Sequence, residues 1–203
     1  QLHVVSVWCG SDFRFGREGR GNVRMLEQIG ARFGLGVYTV EPVRLHGHVV
    51  SSTLVRSLVE DGAVGRAAEC LGRWFSLRGE VRPGFGRGAD LGFPTANLAP
   101  PAEIVLPGDG IYAARVDARG RRYGGIVNLG SSPTFDVEER RLEVHLLEFR
   151  DDLVGEILTV YFIERLRDIQ RFDSAEALSA QIRADERAAR RILETQETPD
   201  HDR

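Results

Sequence analysis

Apolar and polar residues follow two different patterns along the chain, and the change falls near residue 73. Before it, β-branched residues at 4–7 and 37–40 predict strands, and apolar residues at helical spacing over 23–33 predict a helix between them. Two further helices are predicted over 51–60 and 63–71, the last ending at a glycine. The order strand–helix–strand–helix predicts part of a parallel α/β layer.

After residue 73, the pattern is that of short strands separated by turn residues. The predicted strands cover 75–81, 111–116, 123–129, 142–149 and 156–165. The strands 111–116 and 123–129 flank the turn 117–120, which predicts a hairpin. The strands 142–149 and 156–165 flank a turn at 150–152. Several short strands with turns between them predict a closed antiparallel barrel.

A final helix is predicted after the barrel. Asp173 can cap its first turn, because Glu176 follows three residues later in the capping-box arrangement. Its predicted buried stripe consists of Leu178, Ile182, Ala189 and Ile192. The chain is therefore expected to be α+β, with a partial α/β domain at 1–72, a barrel domain at 73–195 and a flexible tail at 196–203.

Composition and charge exclude several classes of protein. The 203 residues carry a net charge of −3, without the basic excess that is typical of nucleic-acid binding. All 27 Lys or Arg positions are Arg, which excludes a lysine-dependent phosphate loop and Schiff-base chemistry. No apolar run is long enough to span a bilayer, and no secretory signal is predicted, so no membrane partner is expected. The cysteines form no Cys-x-x-Cys pair, which favours a reducing, cytoplasmic location.

The stretch 82–98 is the most informative one for chemistry. Its alternating glycines are Gly84, Gly86 and Gly88, and Arg87 lies among them. Glycines allow a backbone to approach a ligand closely and to offer N–H groups to phosphate oxygens. Arg87 could supply the positive charge that lysine supplies in other phosphate loops. A flexible hairpin loop without a ligand explains the same glycines, and spacing alone does not separate the two interpretations.

Thr95 and Asn97 follow the glycines in an extended segment. Their side chains point the same way, because side chains alternate along extended backbone. A hydroxyl and a carboxamide oxygen together suit Mg²⁺ when phosphates and waters supply the remaining ligands. Alternatively, the two residues satisfy the backbone of a turn, and both interpretations stay open.

Glu143 is a candidate proton acceptor. In the predicted strand 142–149, Glu143 and His145 share one face, and Leu142 and Val144 share the other. A carboxylate beside a metal–phosphate site could take a proton from an attacking hydroxyl. A solvent-facing glutamate without a chemical role fits the same pattern.

The first part of the chain carries a weaker phosphate signal. Ser52 and Thr53 fall at a predicted helix start, where N–H groups and the helix dipole favour anions, and Arg56 lies one turn further. Simple N-capping by serine explains the same residues. His46 and His48 are too few for a metal site and are interpreted as loop residues.

Taken together, these segments resemble bacterial bifunctional riboflavin kinase/FAD synthetase. The likeness covers nearly the whole chain, and its segments occur in family order. They are 10–16, 51–56, 71–74, 84–88, 91–97, 110–112, 128–130, 133–135, 143–145 and 181–185. The sequence Leu-Gly-Phe-Pro-Thr-Ala-Asn at 91–97 is highly specific to the kinase module.

The resemblance implies a six-stranded antiparallel barrel with a C-terminal helix from about residue 74 onward. This module would transfer the γ-phosphoryl group of ATP to the ribityl 5′-hydroxyl of riboflavin, giving FMN. Thr95 and Asn97 would hold Mg²⁺ and phosphates, Glu143 would be the general base, and the glycine-rich loop would close over ATP. A loop at 131–141 and the last helix would cover the flavin. The implied flavin contacts are Phe135, Asp185 and Arg190.

For the first part, the resemblance implies the rear half of a Rossmann-like FAD synthetase (FMN adenylyltransferase) domain. Its residual site would consist of Asp12, Phe13, Ser52, Thr53 and Arg56. The His-x-Gly-His motif with which such domains begin is missing, so adenylyl transfer by this chain alone is not expected. Either the chain is a fragment or the natural protein has lost that activity. Exposed faces of a half-sheet would favour self-association. The alternative function is a flavin-binding module without catalysis.

Overall fold

The computed structural model describes residues 3–84, 92–99, 104–134 and 137–196. The chain divides into two compact units, Gln1–Ser51 and Ser52–Arg203. The helices that follow Ser51 therefore fold with the second unit. The predicted boundary between residues 72 and 73 separates the predicted FAD synthetase part from the predicted riboflavin kinase domain. This boundary stays a prediction.

The first unit contains a β–α–β motif. Its strands are β1 (Ser6–Gly10), β2 (Arg14–Phe15), β3 (Gly21–Asn22), β4 (Gly36–Val40), β5 (Arg44–Leu45) and β6 (His48–Val49), and its helix is α1 (Val23–Phe33). β1 pairs in parallel with β4, and the other strands form two short hairpins. Gly34 ends α1 with a φ of 69°. The predicted strand–helix–strand order is confirmed.

Two helices open the second unit. α2 (Ser52–Glu60) and α3 (Val64–Leu71) contact each other, and α3 packs on strands of the barrel that follows. Their buried side chains include Val59, Val64 and Ala67. These two helices confirm the prediction from the apolar spacing.

The rest of the second unit is a closed antiparallel barrel with a C-terminal helix. Its strands are β7 (Phe75–Arg82), β8 (Ala96–Ala99), β9 (Gly110–Ala118), β10 (Arg121–Thr134), β11 (Val137–Leu146) and β12 (Ile157–Arg167). The strand order is β10–β11–β8–β7–β12–β9, and β9 pairs with β10 to close the ring. The six-stranded barrel is therefore confirmed.

The barrel interior is the main hydrophobic core of the second unit. Fully buried side chains that point inward include Leu77, Val127, Val144, Val160 and Phe162. Because successive residues of a strand point to opposite faces, the residues between them lie on the outer face of the barrel.

The last helix, α4 (Ala175–Thr195), packs on this outer face against β9, β10 and β12. Ala189 and Leu193 of α4 are buried in a cluster with Ile126. The N-cap of α4 is Ser174, whose hydroxyl accepts a hydrogen bond from the Ala177 N–H at 3.1 Å. The prediction of Asp173 as the cap was wrong by one residue, because both residue types cap helices and Ser174 has the extended backbone of an N-cap.

The segment predicted as a loop over 131–141 is largely β-hairpin. β10 and β11 pair as far as Thr134 and Val137. Ser, Ser and Pro at 131–133 favour a loop locally, but pairing with β11, the next strand along the chain, overrides that preference. The prediction of a loop was therefore wrong for the described backbone of this segment.

Candidate functional site

A row of polar side chains crosses three neighbouring strands on the outer face of the barrel. Asn97 of β8 lies opposite Glu143 of β11, and Glu143 lies opposite Asn128 of β10. Opposite residues of an antiparallel pair point to the same face, with Cβ atoms about 4.5–5.5 Å apart. Leu98 and Leu142, their neighbours along the strands, are buried in the barrel core. The strand register therefore brings two amides and one carboxylate side by side.

Glu143 and Asn128 line a pocket of about 340 Å³ that the barrel and α4 form together. Its apolar walls include Ile111 and Ile126 from the barrel and Leu178 and Ile182 from α4. The segment that joins β12 to α4 adds Arg167, Ile169, Gln170 and Phe172. An apolar lining with a few polar groups is typical of a binding site for a small organic ligand.

Thr95 lines this pocket and also a second one of about 280 Å³. The second pocket lies beside the start of the glycine-rich segment, because Arg82 and Gly84 line it. Its other side comes from the turn between β11 and β12, including Phe149 and Arg150. Thr95 is therefore the point at which two neighbouring pockets meet, one largely apolar and one more polar.

Gly84 lies directly against the carboxamide of Asn97. A Cβ atom at this position would collide with the Asn97 side chain, so only glycine allows the approach. This contact holds the beginning of the glycine-rich segment next to the polar row. Gly86, Arg87 and Gly88 lie outside the described residues.

A buried ion pair closes one end of the apolar pocket. Arg167 contacts the Asp185 carboxylate through Nε at 3.0 and 3.1 Å and through a terminal nitrogen at 2.7 Å. Gln181 donates a further hydrogen bond to Asp185 at 2.9 Å. The Arg167 and Asp185 side chains are only 16% and 7% exposed. Asp185 thus orients Arg167 at the pocket and ties α4 to the end of β12.

His145 stands on the same strand face as Glu143, as predicted. Its Nδ1 lies 2.8 Å from the Pro94 carbonyl oxygen, and its Nε2 lies 3.2 Å from Glu186 Oε1 on α4. The Phe93 ring packs against it edge-to-face, with centroids 5.8 Å apart. His145 therefore contacts both the segment that leads to Thr95 and the helix that covers the pocket.

Among the described residues, Asp185 is the one predicted flavin contact that lines this pocket. Phe135 lies outside the described residues. Arg190 is exposed on α4, pairs with Glu148 at 2.6 Å, and lines a separate groove that it shares with Arg115 and Arg150.

The predicted adenylyltransferase residues fall in both units. Asp12 and Phe13 lie in an exposed turn of the first unit, where the Phe13 and Phe15 rings stack with centroids 5.9 Å apart. Ser52, Thr53 and Arg56 are exposed in the first turns of α2, at the start of the second unit. His46 occupies the turn between β5 and β6, as predicted for a loop residue, whereas the same prediction for His48 was wrong, because His48 pairs with Leu45 as the first residue of β6.

The polar pocket residues that the sequence reasoning missed include Asn128 and Arg167. Alternation along β10 predicts that Asn128 points away from Leu129, but nothing nearby in sequence reveals Glu143 as its neighbour. Arg167 gives no local signal, because its partner Asp185 lies on another element.

The side-chain oxygens of Thr95 and Asn97 suit a hard cation whose other ligands are phosphate oxygens and water. Among the described residues, no group of three or more His, Cys, Asp or Glu side chains could hold a metal ion. Thr95 and Asn97 offer neutral oxygens beside the Glu143 carboxylate, which suits Mg²⁺ bound mainly by phosphate and water.

Comparison with known families matches both parts of the chain. The family described as riboflavin kinase matches residues 71–193, and the family described as FAD synthetase matches residues 1–54. The chain belongs to the riboflavin kinase family. The resemblance derived from the sequence motifs is therefore confirmed.

Curated relatives of the riboflavin kinase family carry the name bifunctional riboflavin kinase/FMN adenylyltransferase. The protein from Pseudomonas fluorescens is 40% identical over 192 residues, which are 94% of this chain and 61% of that protein. The Escherichia coli K12 protein is 36% identical and the Bacillus subtilis protein 30% identical, each over 95% of this chain and 61% of its own length. The chain thus spans about three fifths of these relatives.

A solved structure from Streptococcus pneumoniae, titled a macrolide-efflux protein, shares the fold with a TM-score of 0.82 and 36% identity. The match covers 89% of this chain and 58% of that one. Its title describes that protein alone.

Among the described residues of the present chain, no helix is long and apolar enough to cross a membrane.

Proposed function

We propose that the second unit phosphorylates riboflavin with Mg-ATP, transferring the γ-phosphoryl group to the ribityl 5′-hydroxyl and releasing FMN and ADP. The observation that carries this proposal is the junction of two pockets at Thr95, with Glu143 beside it. A kinase needs two ligands whose reacting ends meet, and this junction supplies that arrangement. Family membership and the names of the curated relatives support the same reaction.

The 340 Å³ pocket is the proposed riboflavin site. Ile111 and Ile126 on one wall and Ile182 on another suit a flat and largely apolar ring system. Arg167, oriented by Asp185, offers N–H donors to polar atoms at the ring edge. With the ring between these walls, the ribityl chain would lead towards Glu143 and Thr95. Phe135 and Arg190 remain predicted flavin contacts.

The 280 Å³ pocket is the proposed site of ATP. Arg82 and Arg150 line it together with Asp151 and Asp152, and Gly84 stands at the start of the glycine-rich segment. Glycine backbones offer N–H groups to phosphate oxygens. Gly86, Arg87 and Gly88 are proposed to complete this contact with the phosphates.

Mg²⁺ is the proposed cofactor, and Thr95 and Asn97 are the residues that would hold it together with the ATP phosphates. When bound, the ion would neutralise negative charge on the phosphates during transfer. Thr95 and Asn97 leave most ligand positions to phosphate and water, as Mg²⁺ sites in kinases commonly do.

Glu143 is the proposed general base. Its carboxylate accepts the proton of the 5′-hydroxyl as the hydroxyl oxygen bonds to phosphorus and the bond to ADP breaks. Asn97 and Asn128 lie on either side of Glu143 and hold no charge, so they do not compete for the proton. Most of the rate enhancement in such a reaction comes from positioning, and the base adds a smaller factor.

Residues 1–72 are proposed to be the rear part of an FMN adenylyltransferase domain. Asp12, Phe13, Ser52, Thr53 and Arg56 would then be part of its nucleotide site. The longer relatives carry adenylyltransferase in their names, but this chain alone is expected to stop at FMN. We also propose that the protein is cytoplasmic.

The deciding experiment is to incubate the purified chain with riboflavin, ATP and Mg²⁺ and to separate the flavins by chromatography. FMN without FAD is the expected result. FAD as well as FMN would show that the first unit is catalytically complete. Riboflavin that binds without conversion would instead support a flavin-binding module without catalysis and would overturn the kinase proposal.

A further inference from the structure

The imidazole of His145 joins three elements that build the two pockets. It stands on β11, two residues from Glu143 on the same face. Its Nδ1 contacts the carbonyl of Pro94, the residue before Thr95, and its Nε2 contacts Glu186 of α4. One residue therefore touches the element of the base, the element of the phosphate site and the helix over the flavin site.

The two contacts meet the His145 ring from opposite sides. A carbonyl oxygen only accepts, so Nδ1 is the nitrogen that donates a hydrogen to Pro94. Nε2 lies 3.2 Å from Glu186 Oε1 on the other side of the ring. Both side chains are largely shielded from solvent, with His145 13% and Glu186 24% exposed. Polar contacts that are shielded from water in this way are stronger than those on an open surface.

The helix α4 is held at two adjacent residues by two different strands. Asp185 binds Arg167 at the end of β12, and Glu186 binds His145 on β11. Asp185 faces the riboflavin pocket directly, whereas Glu186 reaches past it to the strand that carries Glu143. Loss of the His145 contact would therefore remove the polar link between α4 and the strand of Glu143, while the Arg167 contact and the packing of Ala189 and Leu193 remain.

We propose that His145 is a positioning residue that sets the Pro94–Thr95 segment and α4 relative to Glu143, so that the two pockets meet at Thr95. This inference rests on the proposed kinase function. His145 touches no reacting atom, because both ring nitrogens are engaged by the protein. The Glu186 contact should affect riboflavin binding, because α4 lines the riboflavin pocket. The Pro94 contact should affect Mg-ATP, because Pro94 precedes Thr95.

Three variants separate the two contacts. Glu186→Ala removes the contact to α4, and His145→Asn does the same while its amide N–H stays near the Nδ1 position that reaches Pro94. His145→Gln places its amide near the Nε2 position and loses the Pro94 contact instead. Glu176→Ala is the matched control, because Glu176 is an exposed residue in the first turn of the same helix.

Steady-state kinetics should divide these variants into two groups. Glu186→Ala and His145→Asn should each raise the KM for riboflavin about tenfold, the effect of losing one shielded polar contact, with kcat changed less than about twofold. His145→Gln should instead lower kcat and raise the KM for Mg-ATP, each by about tenfold. Glu176→Ala should match the wild type. Lower melting temperatures with unchanged KM and kcat values would overturn the proposal, because His145 would then only stabilise the fold.

Amide hydrogen exchange without ligands distinguishes failure of this inference from failure of the kinase proposal. Glu186→Ala should speed exchange in α4 and leave residues 92–97 protected, whereas His145→Gln should speed exchange in 92–97. If the wild type makes no FMN but the variants show these changes in exchange, the kinase proposal fails. The proposed positioning of α4 and of residues 92–97 by His145 is then still supported. If the wild type makes FMN and the variants exchange like Glu176→Ala, the proposed role of His145 is wrong.

Discussion

The two units of this chain bury their apolar residues to very different extents. The second unit closes a barrel around side chains such as Leu77, Val160 and Phe162, which are fully buried. In the first unit, Cys9 is the only apolar side chain that is buried among the described residues. Trp8 and Phe33 of that unit are 67% and 82% exposed.

This difference indicates where stability and chemistry are concentrated. Full burial of a large apolar side chain contributes about 1.5–3 kcal/mol, so the barrel supplies its own folding free energy. All residues of the polar row and of both pockets belong to the second unit. Substitutions there should alter turnover or stability, and substitutions in the first unit should leave riboflavin phosphorylation unchanged.

The largest effect is expected from Glu143→Gln in the second unit. It removes the proton acceptor while it keeps the shape of the side chain, so kcat should fall by about 10²–10⁴-fold with little change in riboflavin binding. Stopped assays for FMN and flavin fluorescence titrations measure the two quantities. Glu164→Gln, an exposed glutamate on β12, is the control and should behave as the wild type. Full turnover by Glu143→Gln would show that another group accepts the proton.

Asp185→Ala should cause the largest loss of stability. The substitution leaves the Arg167 guanidinium, which is 16% exposed, without its carboxylate partner. Removing one partner of a buried pair lowers the free energy of unfolding by about 3–5 kcal/mol, and the partial exposure here reduces this to about 2–4 kcal/mol. Urea denaturation of the second unit measures it. Asp168→Ala, which removes a 79% exposed partner of Arg165, should change stability by less than about 1 kcal/mol.

A pair of asparagine substitutions compares the two units directly. Asn97→Ala should raise the KM for Mg-ATP by about tenfold, because it removes an oxygen ligand and the contact to Gly84. Asn22→Ala removes the N-cap of α1 and should destabilise the first unit by about 1 kcal/mol without changing riboflavin phosphorylation. Equal effects of both substitutions on the KM for Mg-ATP would contradict the assignment of the nucleotide site to the second unit.

The smallest effect concerns the pH dependence of stability within the barrel. The hydrogen bonds from Arg122 lower the pKa of Asp117, and the Tyr161 hydroxyl adds a further hydrogen bond. A carboxyl group whose pKa is lower in the folded state stabilises the fold above its unfolded pKa of about 3.9, and this stabilisation is lost as the pH falls through the folded pKa.

Arg122→Gln should therefore lower the urea midpoint slightly at pH 7, and the difference from the wild type should shrink below about pH 4. The pair is partly exposed, so salt should weaken the effect as well. A difference that grows as the pH falls would contradict the direction of the pKa shift.

Much of the local structure could be predicted from the sequence. Apolar spacing predicted the helices because a helix depends on residues three and four positions apart, and these are neighbours in sequence. Alternation predicted that Glu143 and His145 share a face, whereas the phosphate-binding role of the glycines around Arg87 stays a prediction. The cap of α4 was missed by one residue, because Asp173 and Ser174 have nearly equal local preference.

The assembly of the site was decided by the tertiary structure. Asn97, Glu143 and Asn128 become neighbours only through the register of three strands that closure of the barrel sets. Arg167 and Asp185 meet because α4 packs across the barrel, and Thr95 joins two pockets because the strands on either side of it converge there. Local sequence determines which residues favour helix, strand or turn and which side chains share a face. Contacts between residues far apart in sequence depend on how the whole chain buries its apolar surface, and one segment alone does not contain that information.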